Sequence, residues 1–259
     1  MAHIDLPSRI KEAIKEQHGK VNRLNTARIP LCLPPETKTP LLYALGLSRY
    51  AEIYLGLEKT WLAEIGDPIE WIEGTRDNLD SFASSKERIQ AILRLIYLPE
   101  LLRTKRFEAD LLALQSLDPD ISAGLGTGRE NAGRKFRQYI EEDIAMKPHL
   151  LVAYIWVMYQ ALFNGGRFIR MQLLKAGPEF WGLSAKTMDP TAFPAPLSFW
   201  NVDRDESIKT SFRSRVNMAD KLLTEAEREE IMQEAVEILC RCELITLQLE
   251  DDVRARMMA

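Results

Sequence analysis

The chain has 259 residues, of which 46% are hydrophobic and 28% charged, a composition typical of a globular protein. Its formal net charge of -4 lacks the basic excess of nucleic-acid-binding proteins, and no apolar run is long enough to suggest a membrane span. The first residues lack the apolar core of a signal peptide, and the three cysteines have no metal-type spacing. We therefore expect a cytoplasmic protein with free thiols and no membrane anchor.

Apolar residues at helical spacing predict helices along most of the chain. The expected helices cover residues 8–25, 40–65, 69–97, 98–115, 134–145, 147–176, 205–219 and 224–253. Residues 26–40, 118–133 and 179–203 are rich in proline or glycine and predict loops, the second of them being the only candidate boundary between halves. The sequence therefore predicts an all-α bundle of about eight helices. We expect one domain over residues 1–259, with its core in residues 6–253 and a polar C-terminal tail.

The predicted helix over residues 147–176 is long and apolar, and it contains Gly165 and Gly166 near its middle. Each glycine costs roughly 1 kcal/mol relative to alanine in an exposed helix interior. Such a pair indicates either a bend in the helix or a surface where another group approaches the backbone closely. The helix is therefore a candidate wall of a binding site.

Two groups of cations accompany this helix. Lys11, Lys15 and His18 fall within about 60° of one another on a helical wheel, and Lys209 and Arg213 are spaced i, i+4 on another helix. An imidazole, a thin glycine wall and cations are what a flat apolar ligand with two carboxylates needs, and heme is such a ligand. The alternative is that these charges form solvated helix faces paired with neighbouring acids.

Five segments, taken in order along the chain, resemble segments of one known protein family. They are LPSRIKEAIKEQH (6–18), AEIYLGLE (51–58), LPELLRTKRFEADL (98–111), LLVAYIWVMYQALFNGGR (150–167) and SFRSRVN (211–217). Each resembles the corresponding segment of the heme oxygenase family, and the resemblance extends from residue 6 to about residue 250. It implies the single-domain heme oxygenase-like bundle, in which heme lies between the first helix and a kinked distal helix at 147–176.

The resemblance also implies roles for individual residues. His18 would be the axial ligand of the heme iron. The other implied heme-binding positions are Lys11, Lys15, Lys209 and Arg213 at the propionates, Trp156 in place of a tyrosine on the propionate side, and Ala161 and Gly165 at the close contact with the ring. The implied distal pocket contains Tyr54, Met158, Leu162 and Cys242.

Several of these positions depart from the family pattern. Leu162 stands where the family has an aspartate that organises distal water, Met158 replaces an arginine and Cys242 replaces an asparagine. Trp156 and Ala161 replace a tyrosine and a glycine. Because a leucine side chain neither donates nor accepts a hydrogen bond, we expect a drier distal pocket and assign no catalytic residue there.

Three functions stay open at this point. The first is a heme-degrading monooxygenase that yields biliverdin, carbon monoxide and iron with electrons from a reductase. The second is a protein that binds heme without degrading it. The third is a heme oxygenase-like scaffold whose apolar pocket acts on another hydrophobic small molecule, as a cyclase or isomerase would. No nucleic-acid partner is expected in any of them.

Overall fold

The computed structural model describes residues 4–66, 82–125, 130–184, 194–202 and 205–258, and the regular structure within these ranges is entirely helical. The described residues form ten α-helices joined by short 3₁₀ turns. The α-helices are α1 Leu6–Ala13, α2 Lys15–Arg28, α3 Leu41–Ile65, α4 Ser85–Ile96, α5 Thr104–Leu117, α6 Pro119–Leu125, α7 Ala132–Glu142, α8 Leu151–Lys175, α9 Asp205–Asp220 and α10 Glu225–Met258. None of the described helices is both long enough and apolar enough to cross a membrane.

One predicted helix and one predicted loop need correction. The first expected helix is split at Ile14, so that Lys11 lies on α1 whereas Lys15 and His18 lie on α2. The break is local, because the Ile14 amide still bonds to Ile10 and the His18 amide to Ile14. The predicted loop at 118–133 contains the short helix α6. Parts of the predictions at 69–97, 118–133 and 179–203 lie outside the described residues.

The long helices begin and end close to the predicted positions. α3 ends at Gly66, whose φ of 68° is one that glycine adopts readily. α10 begins with a capping box, in which the Glu227 amide donates to the Thr224 hydroxyl and the Thr224 amide donates to the Glu227 carboxylate. Turn chemistry and capping therefore set these boundaries as the sequence indicates.

The helix α8 passes from the core to the surface. All residues from Leu151 to Tyr159 are buried, and α8 as a whole packs against α3, α9, α10 and the turn Ser198–Trp200. The second half exposes Ala161, Asn164 and Phe168. Helical structure continues through both glycines, and the bend expected there stays a prediction.

A buried carboxylate, that of Glu58 on α3, holds the start of α5. It accepts hydrogen bonds from the Arg103 amide at 2.5 Å, the Thr104 amide at 2.9 Å and the Thr104 hydroxyl at 2.6 Å. The Tyr159 hydroxyl of α8 donates to it at 3.3 Å. Because a buried charge is costly without partners, this carboxylate fixes α3, α5 and α8 relative to one another.

The fully buried Arg103 and Asp110 attach the turn Ser198–Trp200 to α5. The Arg103 guanidinium donates to the Leu101 carbonyl at 2.7 Å and to the Phe199 carbonyl at 3.2 Å. Asp110 accepts from the Ser198 amide at 2.9 Å, the Ser198 hydroxyl at 2.6 Å and the Phe199 amide at 2.7 Å. The turn is therefore held from both its carbonyl and its amide groups.

Burial raises the pKa of Asp110 from its usual 3.8 to about 6. As the pH falls, such a carboxyl takes up its proton in the folded protein before the unfolded chain does. Protonation of Asp110 therefore adds to stability as the pH decreases from about 6 to about 4.

We predict that Asp110→Asn lowers the free energy of unfolding by about 1–3 kcal/mol near neutral pH, because an amide N–H replaces one of the acceptors facing Ser198 and Phe199. The difference from wild type should grow by about 1–2 kcal/mol on lowering the pH to about 4.5, since only wild type gains the proton. Urea denaturation at a series of pH values measures this. A difference that stayed constant or shrank would contradict the assignment.

The helices α3 and α7 pack closely enough to require glycine. A Cβ atom added to Gly133 would overlap the Arg49 carbonyl oxygen of α3, whereas one added to Gly165 of α8 would meet no atom within 4 Å. Gly133 is therefore a packing residue and Gly165 is not.

We predict that Gly133→Ala lowers the free energy of unfolding by about 1–3 kcal/mol through this overlap. The matched control Gly165→Ala should not lower it and should gain up to about 1 kcal/mol from helix propensity. Chemical denaturation of both variants is the measurement, and equal losses would show that the two glycines do not differ as described.

Candidate functional site

An exposed apolar strip runs along the second half of α8. Ala161, Gly165 and Phe168 follow the i, i+4, i+7 spacing of one helix face, and Phe168 is 38% exposed. Met171, which is 57% exposed, lies one turn further along. Because Gly165 carries no side chain and no atom lies where its Cβ would be, a flat group can approach the backbone there.

Polar groups from α9 border this strip. The Lys209 ammonium donates to the Asn164 side-chain oxygen at 3.2 Å, and the Asn164 amide donates to the Gln160 oxygen at 3.2 Å. Arg213, one helical turn beyond Lys209, is exposed. The structure therefore places Lys209 beside the residue that precedes Gly165, as a site for a ligand with carboxylates requires.

His18 is exposed on α2, and its imidazole makes no hydrogen bond or ion pair within the part of the chain that the structure describes. His149 is half-buried, and its imidazole lies 3.0 Å from the Glu230 carboxylate. Of these two imidazoles, that of His18 is available to an external ligand. Its predicted neighbours Lys11 and Lys15 are also exposed, and the Lys15 ammonium lies 3.2 Å from the Glu12 carboxylate.

The helices that carry His18 and Gly165 share a neighbour. Both α2 and α8 pack against α10, and α9 packs against both α1 and α8. The cations of α9 therefore lie on a helix that contacts both α8 and α1, the helix that carries Lys11.

The four predicted distal residues lie in the core beneath the strip. Leu162 and Met158 are buried, and the Leu162 Cδ1 atom would lie 3.5 Å from a Cβ on Gly166. The Tyr54 hydroxyl donates to the Met158 carbonyl at 3.0 Å. Burial raises the pKa of the Cys242 thiol to about 12, so that it stays protonated. These four side chains thus carry no charge, and the one hydroxyl among them already donates to a carbonyl.

Trp156 is buried and contributes to the site indirectly. Its ring stacks on that of Phe212, with centroids 5.7 Å apart and an interplanar angle of 16°. Phe212 immediately precedes Arg213 on α9. The stacking therefore supports the helix that presents Lys209 and Arg213.

The sequence pattern does not reveal the polar groups that hold α2 in place. The principal ones are Glu243 and Thr246 on α10, Tyr50 on α3 and Asn25 on α2 itself. One signal was present: α2 has too few apolar residues to dock through hydrophobic contact, and Val21 is its one buried side chain among those described. Polar partners were therefore to be expected on the helix that it contacts.

Comparison with known proteins identifies the family. The family model described as heme oxygenase matches residues 79–239, more than half of the chain. The chain belongs to the heme oxygenase family. The family membership that the sequence segments indicated is thereby confirmed.

Relatives of known structure have the same fold. Heme oxygenase-1 from the cyanobacterium Synechocystis, solved in complex with heme, superposes with a TM-score of 0.67 at 18% identity, covering 98% of this chain and 97% of that one. Heme oxygenase from Leptospira interrogans gives a TM-score of 0.64 at 18% identity, covering 94% of this chain and 98% of that one. The predicted all-α, heme oxygenase-like fold is confirmed.

A yeast relative has a higher sequence identity to this chain than these two structures do. The heme-binding protein HMX1 of Saccharomyces cerevisiae is 24% identical over 241 residues, which cover 89% of this chain and 70% of the yeast protein. The similarity to the yeast protein thus covers more of the chain than the family-model match does.

Proposed function

We propose that this chain binds heme between α2 and α8, with His18 as the axial ligand of the iron. The open backbone at Gly165, with Lys209 hydrogen-bonded to the preceding residue Asn164, supports the proposal most directly. The yeast relative is named as a heme-binding protein, and the similar Synechocystis structure is a complex with heme.

The residues of the strip suit the ligand. The macrocycle would lie against Ala161, Gly165 and Phe168, where the helix surface is apolar and thin. Lys209 and Arg213 would bind the propionates as charge-assisted donors, with Lys11 and Lys15 approaching from the first two helices. Bound heme would supply iron-centred ligand binding and electron transfer, and the His18 imidazole nitrogen would set its position.

Oxidative cleavage of heme to biliverdin, carbon monoxide and iron is a second candidate, with a reductase as electron donor and a cytoplasmic location. Leu162 provides no hydrogen bond where the family has an acid. The Asn164 and Gln160 amides, which are linked to each other beside Gly165, favour this candidate because they could hold water at the edge of the ring. We also propose that residues 1–259 form a single domain.

We predict that adding micromolar heme to the purified protein produces a shifted Soret band, and that His18→Ala removes or strongly weakens the shift because the axial nitrogen is lost. The matched control His149→Ala should retain it, since that imidazole contacts Glu230. An absorption titration of the three proteins is the measurement.

The same samples distinguish the alternatives. A Soret shift followed by biliverdin absorption when a reductase is added supports cleavage, and a stable shift supports binding alone. Failure of the wild-type protein to bind heme would overturn the proposal and favour the scaffold that acts on another hydrophobic molecule.

We predict that Ala161→Leu weakens heme binding by about tenfold or more, because the larger side chain would occupy the surface on which the ring lies. Ala63→Leu makes the same change at an exposed position of α3 and should leave the affinity unchanged. Heme titrations, with circular dichroism to show that both variants fold, provide the measurement. Equal affinities in the two variants would place the ring elsewhere.

A further inference from the structure

The helix α2 docks on the rest of the protein mainly through polar contacts. Among its described side chains, only that of Val21 is buried. Its contacts with α10 and α3 instead come from Gln17, Lys20, Asn25 and Arg28. Because hydrophobic burial normally supplies most of the docking energy of a helix, these polar contacts decide where α2 lies.

Glu243 of α10 contacts α2 on either side of His18. One carboxylate oxygen accepts a hydrogen bond from the Gln17 amide at 2.7 Å, and the other lies 2.7 Å from the Lys20 ammonium. The Glu243 side chain is only 15% exposed, so these contacts are partly shielded from solvent. Gln17 and Lys20 are one turn apart, and holding both fixes the rotation of α2 about its axis.

The other end of α2 has separate anchors. The Asn25 amide donates to the Tyr50 hydroxyl at 3.0 Å, and the Thr246 hydroxyl donates to the Asn25 oxygen at 2.8 Å. Arg28 forms an ion pair with Glu250. These contacts hold the last two turns, whereas the turn that contains His18 begins directly after the break at Ile14.

The break makes the anchor at Glu243 important. Ile14 has a ψ of -4°, so the regular helix is interrupted four residues before His18. Gly19 follows His18 and has no side chain that could pack against the rest of the protein. The docking of this turn therefore depends on the carboxylate between Gln17 and Lys20.

We propose that Glu243 is the positioning residue for His18, setting the direction of the imidazole through its hold on Gln17 and Lys20. The proposal rests on the proposed function, in which His18 ligates heme iron. Glu243 itself contacts no ligand in this arrangement.

The test compares Glu243→Ala with Glu250→Ala, which removes a carboxylate from the same face of α10 at the far end of α2. In the ligand-free proteins, hydrogen exchange of backbone amides reports how firmly each turn of α2 is docked. In the reduced heme complexes, the iron–histidine stretching band in resonance Raman spectra reports the orientation and bonding of the imidazole. The charge-swapped double variant Lys20→Glu/Glu243→Lys tests whether a restored ion pair restores both signals.

We expect Glu243→Ala to accelerate exchange in residues 15–20 by about tenfold and to shift or broaden the iron–histidine band. Glu250→Ala should affect only the last turn of α2 and leave the band unchanged, and the double variant should recover the wild-type band. An unchanged band and unchanged exchange in Glu243→Ala would overturn the proposal, as would acceleration spread equally over α3 and α8. A wild-type protein without a Soret shift would show separately that the proposed function fails, and exchange accelerated only in residues 15–20 would still support the hold of Glu243 on the His18 turn.

Discussion

The candidate site depends on the buried carboxylates of Glu58 and Asp110. Removing a carboxylate from water costs several kcal/mol, and here each one accepts hydrogen bonds from backbone amides and hydroxyls that offset the cost. The Glu58 carboxylate accepts hydrogen bonds from the first turn of α5, and Asp110 is a residue of α5 itself. Together with Arg103 they fix the turn Ser198–Trp200 against the core. This turn is the surface on which α8 rests where it leaves the core.

The two adjacent glycines of α8 consequently have different functions. A Cβ on Gly166 would lie 3.6 Å from the Trp200 ring, so that glycine faces the turn that Asp110 holds. Gly165 faces open space beside Lys209. Because successive residues of a helix point about 100° apart, one glycine packs against the protein while the other leaves the backbone accessible. The two glycines therefore need separate interpretations, because neither a bend in the helix nor a close approach of a ligand to the backbone accounts for both of them.

Sequence patterns predicted the long helices well, because α3, α8 and α10 combine apolar periodicity with a clear boundary such as Gly66 or the Thr224 capping box. The family resemblance predicted the fold, although Glu58, Arg103 and Asp110 in the matching segments hold the scaffold and do not form the strip. The break at Ile14 and the contacts of Glu243 left no periodic signal. Glu243 meets Gln17 across 226 positions, and only the folded chain brings two such polar residues together.

The two walls of the candidate site are therefore built by different physical means. On α8, the strip continues a helix whose first half is buried in the core, so its position is fixed before any ligand arrives. On α2, partly exposed polar contacts of modest strength hold the turn that carries His18. If only a fraction of the molecules has this turn docked, the apparent affinity for a ligand of His18 equals the intrinsic affinity multiplied by that fraction. Residues such as Glu243, which touch no ligand, then affect affinity as directly as those that line the strip.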